Sequence, residues 1–288
     1  MSDQTDALNQ VKWPALVAAL IVAGAVSLSI HVVMLQVLGI PFPEDQPPVW
    51  AKVMNLAGTT SALIAFQVNA RAKLGGFWRT VVISGPILLL LKEGIRGAIM
   101  NGVVTTGWGF ALAGVLVPLL LSFGIALICA TSSRWVRSPL TLLAAGLLTG
   151  ALAYVLQALV GVAISPVMGA LAHLARPDVY HLPYPLAVLI PAYLTFAEPL
   201  VGCGLLVALV WDRIEGGLAA RLAQLTLLVL FLKGVVVRTL VFPAYMEQPY
   251  FQGMLSQSQF LLEFAALAIL TALAWNRFGA NRRLASSG

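Results

Sequence analysis

A chain of 288 residues that is 60% hydrophobic and 10% charged cannot face water on every side; a soluble domain carries about 25% charged residues. Its mean hydropathy of +0.92 places the outer surface in lipid, and the fold class expected is an all-α polytopic integral membrane bundle. The net charge of +6 is then a question of loop distribution, and no nucleic-acid partner is expected.

A membrane-crossing helix needs about 20 apolar residues. Eight segments meet that length, at 14–38, 50–70, 78–100, 108–131, 139–164, 185–211, 219–242 and 257–276. The first opens at Trp13-Pro14, with proline in a turn that tolerates it. No cationic region precedes it and no Ala-x-Ala site closes it, so it reads as a retained helix. A Pro-rich loop from Ile40 to Pro48 follows, with Trp50 as an interfacial aromatic. The longest polar connection is an outer loop over residues 165–184, and no stretch reads as a soluble domain.

Loop charges orient the chain. One set of loops and ends holds Lys12, Arg71, Lys73, Arg79, Arg134, Arg137, Arg213, Arg221, Arg277, Arg282 and Arg283. The opposite set holds only Lys52 and Arg176 among its cations, beside Glu44, Asp45, Asp178 and Glu247. The positive-inside rule therefore puts both termini in the cytoplasm, for a protein of the plasma (inner) membrane.

Landmarks recur, the Gly-Gly and lysine pair with an offset of 141 residues. Gly75-Gly76 precedes Lys92 as Gly216-Gly217 precedes Lys233. Val11-Lys12-Trp13-Pro14 opens segment one, and Val136-Arg137-Ser138-Pro139 opens segment five. Residues 1–138 and 139–288 are accordingly expected to be two four-helix copies within one membrane domain, parallel because each has an even number of spans.

The chemistry is expected where charge interrupts these spans. Leu88 to Arg96 sets Lys92, Glu93 and Arg96 inside an apolar run, and Lys233 and Arg238 recur in segment seven. A cation in hydrocarbon is costly unless paired, snorkelling or facing water. Counted from Trp78, Lys92 lies about 21 Å and Arg96 about 27 Å along the helix, toward the outer leaflet. Glu263 and His31 fall at a comparable depth, and Glu198 is expected deeper, toward the cytoplasmic side.

Two roles compete for this layer. In one the cations pair with Glu93 and Glu263 and lock the bundle. In the other Lys92, Arg96, Lys233 and Arg238 line an outward-opening cavity for an anion, with Glu93, Glu198, Glu263 and His31 as groups for proton coupling or charge pairing.

No cofactor and no metal site are expected. His173, Asp178 and His181 match no tight ligand spacing, and Gly-rich phosphate loops, His-Glu-x-x-His and Gly-x-Ser-x-Gly patterns are missing. Cys129 and Cys203 sit in apolar runs, where cysteine is a small buried hydrophobe. The leading expectation is a protein that transports or binds an anionic solute or lipid headgroup from the outer face; its partners are membrane lipid and a small anion or lipid phosphate. An enzyme acting on a lipid-linked phosphate and a non-catalytic sensor or assembly subunit are the alternatives. The sequence leaves the oligomeric state open.

Overall fold

The computed structural model describes residues 11–104, 107–174 and 182–279, which are helices and connections with no strand among them. Helix α1 (Trp13–Val32) continues through a π turn, Val33–Val37. A loop crosses to α2 (Val49–Leu74), which Gly75 ends with φ +75°. There follow α3 (Phe77–Leu91), α4 (Gly94–Val104), α5 (Trp108–Ser132) and α6 (Pro139–Leu171). Then come α7 (Leu186–Thr195), α8 (Ala197–Val210), α9 (Leu218–Lys233), α10 (Val235–Val241) and α11 (Tyr250–Phe278).

Among the described residues, five helical stretches are long and apolar enough to cross a membrane: Trp13–Val37, Trp108–Ser132, Pro139–Leu174, Leu186–Arg213 and Tyr250–Phe278. A sixth arises if α9 and Val235–Tyr245, bent by 75°, count as one span. Exposed Leu140, Leu143, Leu147 and Leu159 on α6 are the kind of surface that lipid covers.

The other two expected spans differ for identifiable reasons. Helix α2 has 26 residues, but Asn55, Thr59, Thr60, Gln67 and Asn69 lower its hydropathy. It packs against α6, α9, α5 and α3, so Thr59, Thr60 and Gln67 bond groups on other helices, while Asn69 is exposed and bonds Ala65 O of its own helix. The expected helix over 78–100 is split: α3 is only 15 residues long, and the chain breaks before α4. The spans over 185–211 and 219–242 also break, at Phe196 and at Gly234. In the other direction, α6 continues through Pro166 to Leu171, into what reads from sequence as loop.

Small residues allow the close approaches. Gly146 and Gly150 of α6 lie against Ser61 and the backbone of Ala57, where an added Cβ would sit 1.7 Å from Ser61 Oγ and 2.6 Å from Ala57 N. Thr60 Oγ1 donates to the Gly146 carbonyl at 2.9 Å across the same contact. Such small-residue seams are how membrane helices gain packing without a hydrophobic drive. Elsewhere α1 packs on α11, α5 on α6, α3 on α5 and α8, and α9 on α11 and α2. The core gathers Leu63, Phe66, Leu91, Phe196, Leu232 and Phe264, all essentially buried. Lys12 N donates to Phe278 O at 3.0 Å, so the start of α1 and the end of α11 share one end of the bundle.

Candidate functional site

Two of the breaks meet. Helix α3 stops at Leu91, Lys92 N closes its last turn on Leu88 O, and Glu93 takes a left-handed conformation with φ +57°. That conformation costs a non-glycine residue roughly 1–2 kcal/mol. Gly94 then restarts the chain as α4, in a place where a Cβ would sit 2.5 Å from Leu89 Cδ1 and 2.7 Å from Pro118 Cβ. Helix α9 stops at Lys233, and Gly234 adopts φ +83°, the usual left-handed end of a helix. The lysine–left-handed pairs Lys92-Glu93 and Lys233-Gly234 keep the 141-residue offset seen in sequence.

Each lysine enters the other break. Lys92 Nζ donates to the Lys233 carbonyl at 2.7 Å and to Thr59 Oγ1 at 3.3 Å. Lys233 Nζ donates to Glu93 Oε2 and stands 4.2 Å from the Phe264 ring centroid. Arg96 Nη1 donates to Glu93 Oε1, and its guanidinium carbon is 5.2 Å from the Phe196 ring centroid. One carboxylate thus bridges two cations, and the side chains of all three are mostly buried. Lys92 is held without a carboxylate, by the carbonyl that the end of α9 leaves free.

Glu198 sits at the start of α8, just past the break in the sixth expected span. Its carboxylate accepts from Ile95 N at 3.0 Å and from Arg96 N, capping α4 from a different helix. A carboxylate at a helix N-terminus satisfies free amides and complements the helix dipole. The expected deeper, cytoplasmic-side position for Glu198 is therefore corrected. The break at Phe196 and the inward start of α4 bring it to the layer of Arg96.

Glu263 and His31 form a neighbouring pair. Glu263 is 1% exposed; its Oε2 lies 3.8 Å from His31 Nδ1, and its Oε1 has no partner. His31 lies against the rings of Phe42 and Phe260. Neither lysine is paired with Glu263.

Arg238 is set apart from the other cations. Its Nη2 lies 3.4 Å from Asp45 Oδ2, which also accepts from Gln257 Nε2 at 2.5 Å. Ser256 Oγ and Gln259 Nε2 donate to the Pro41 carbonyl at 2.6 and 3.2 Å, fastening the same loop to α11.

Of the eight sequence-expected residues, Lys92, Glu93, Arg96, Lys233 and Glu198 are linked through the two breaks, Glu263 and His31 flank them, and Arg238 belongs to the loop. Asp45, Thr59 and Gln257 were missed. Their partners lie more than 30 positions away in the chain, beyond any local pattern. With Asp45 and Glu198 counted, four carboxyl groups face four cations in this region.

Among the described residues no group of three or more His, Cys, Asp or Glu could hold a metal ion. His173 Nδ1 lies 3.0 Å from Ala170 O, while Asp178 and His181 fall outside the described residues. Cys129 and Cys203 are free thiols, both buried. Compared with family models, with curated proteins and with solved structures, the chain matches none.

Proposed function

We propose that this is an eight-span membrane transporter or binding protein that takes an anionic solute or lipid headgroup from the outer face. Lys92, Lys233 and Arg96 are its binding cations. The observation that carries the reading is the mutual entry of Lys92 and Lys233 into each other's helix break. Membrane folds tolerate interrupted backbone where it is buried in protein or lines a path, and discontinuous helices of transporters present their free ends to ligands.

In this reading Glu93 and Glu198 hold the positions that a ligand's acidic group takes over: Glu93 on Lys233 and Arg96, Glu198 on the α4 amides. The 38–48 loop, latched by Asp45, covers the outer approach. Glu263 and His31, next to the exchange layer and only partly partnered, are the candidate proton-coupling pair. The matched breaks, the positive φ of Gly75 and Gly216 and the packing pairs α1–α11 and α5–α6 favour two copies, 1–138 and 139–288. The charge bias of the loops favours cytoplasmic termini in a plasma (inner) membrane.

A second reading has its own observation: all four cations already have partners. The charges then only lock the breaks together, in a sensor or assembly subunit. One experiment separates the two. Purified protein is melted against a panel of carboxylates, phosphate and soluble lipid headgroups, with Lys92→Met and Lys233→Met alongside. Transport or binding predicts a saturable rise in Tm that each methionine weakens by about 1.5–3 kcal/mol of binding, the worth of a charge-assisted hydrogen bond. If no anion acts through these lysines, and Glu93→Gln restores the stability lost in Lys233→Met, the locking reading replaces the proposal.

A further inference from the structure

At the end of the bundle shared by Lys12 and Phe278, a cleft of about 200 Å³ opens between the last turns of α2, the start of α3 and the end of α5. It shares no residue with the Lys92–Lys233 layer. Arg71 and Arg134 stand in its wall, and neither forms an ion pair with a carboxylate among the described residues. Arg71 Nη2 donates to the Ser133 carbonyl at 2.9 Å, which leaves most of its donors unspent. The Arg134 guanidinium is 4.4 Å from the Phe77 ring centroid, which holds it over the cleft wall. Helix α3 begins here after Gly76 with no side-chain cap, so its first amides add positive potential.

The decisive residue is Gln67, 2% exposed and also part of the wall. Its Nε2 donates to Ser84 Oγ at 2.9 Å and to Ala126 O at 3.2 Å. The Ser84 hydroxyl is itself spent on Thr80 O at 2.5 Å, so Ser84 must accept from Gln67 and the amide cannot be turned round. Gln67 Oε1 is thereby left as a buried acceptor with no donor. An unmatched buried acceptor of this kind is destabilising until a donor reaches it.

A ligand that satisfies this cleft must bring negative charge to two guanidinium groups and a hydrogen-bond donor to Gln67 Oε1. A protonated phosphate oxyanion has both. Sulfate has the charge and no proton at neutral pH. The volume lies below that of pockets that hold drug-sized ligands, about 300–1,000 Å³, so a whole nucleotide is too large.

We propose that this cleft binds a hydrogen-bearing phosphate group, either inorganic phosphate or a phosphomonoester head, from the side of the membrane where the first helix begins and the last one ends. Gln67 reads the proton, and Arg71 and Arg134 read the charge.

The test uses the full-length protein, melted in detergent against inorganic phosphate and against sulfate at pH 7 and equal ionic strength. Phosphate should raise Tm saturably and sulfate should not. Arg71→Gln and Arg134→Gln, both at exposed positions, should each weaken the apparent phosphate affinity by about tenfold or more, as loss of a charge-assisted contact does. Gln67→Met should bring the phosphate and sulfate responses together. If that variant does not fold, the two arginine variants decide the matter.

A parallel arm uses nanodiscs with and without phosphatidate. Stabilisation by phosphatidate that the arginine variants abolish, without a response to free phosphate, identifies the headgroup as the source. Equal responses of the unaltered protein to phosphate and sulfate, a phosphate response indifferent to both arginines, or no response to phosphate or phosphatidate would each overturn the proposal. So would a phosphate response that disappears in Lys92→Met or Lys233→Met, since it would then belong to the other layer.

Discussion

Lys92 Nζ lies 2.7 Å from the main-chain oxygen of Lys233, the residue 141 positions later. It caps the end of a helix on which it does not sit. Lys233 returns the contact through Glu93, the residue after Lys92. The two breaks are therefore one structure, and disturbing either should be felt in both.

Gly234 is where Lys92 meets the opposite break. Its φ is +83°, and a Cβ there would stand 2.9 Å from Lys92 Nζ and 3.1 Å from Asn55 Oδ1. Gly234→Ala should lower stability by roughly 1–2 kcal/mol from backbone strain alone. Displacing Lys92 adds to this. Gly234→Asn, which tolerates the left-handed region better, should cost less backbone strain. Thermal melts of the two variants in one detergent check the order, and an unchanged Tm for Gly234→Ala would contradict the crossing.

Glu93 is the sole carboxylate partner of Lys233 and Arg96 among the described residues. Glu93→Gln should leave two mostly buried cations poorly compensated and destabilise the protein by about 3–5 kcal/mol, as removal of one partner of a buried pair does. Combining it with Lys233→Met should recover part of that loss. A double-mutant cycle in chemical denaturation measures the coupling; additivity of the two changes would show that the contact carries no stability.

Glu198 holds α4 by its first amides. Glu198→Ala should cost about 0.5–2 kcal/mol, the range for loss of an N-terminal cap. The loss should be local, so amide exchange over residues 94–104 should speed up while that of α11 stays unchanged. Uniform acceleration across the bundle would assign Glu198 a global role instead.

Orientation can be read with cysteines at Glu44 and Arg137, both exposed. The native Cys129 and Cys203 are buried and should give little background. In intact cells an impermeant thiol reagent should label Glu44→Cys and spare Arg137→Cys. The reverse pattern would place the Lys92–Lys233 layer nearer the opposite face and make the phosphate cleft extracytoplasmic.

The sequence by itself determined that this chain is a bundle of apolar helices, because hydropathy is a sum over neighbours along one chain. It also singled out Lys92 and Lys233, since a charge in an apolar run stands out with no knowledge of its partners. It could not say that these lysines lie at helix ends. The apolar run continues through both of them, and the left-handed turn at Glu93 is held by contacts with Arg96 and Lys233 that no local propensity favours. Only the tertiary structure decided which charges meet. Glu198 reaches Arg96 because two helices break at the same level, and Asp45 reaches Arg238 because a loop folds back across nearly 200 residues of chain. Gln67 makes the same point: polar in sequence, it became a candidate ligand only once Ser84 and Ala126 were seen to engage its nitrogen and leave its oxygen bare. Pairing across a bundle depends on where helices stop and how closely glycines let them approach, and both are settled by contacts between distant segments.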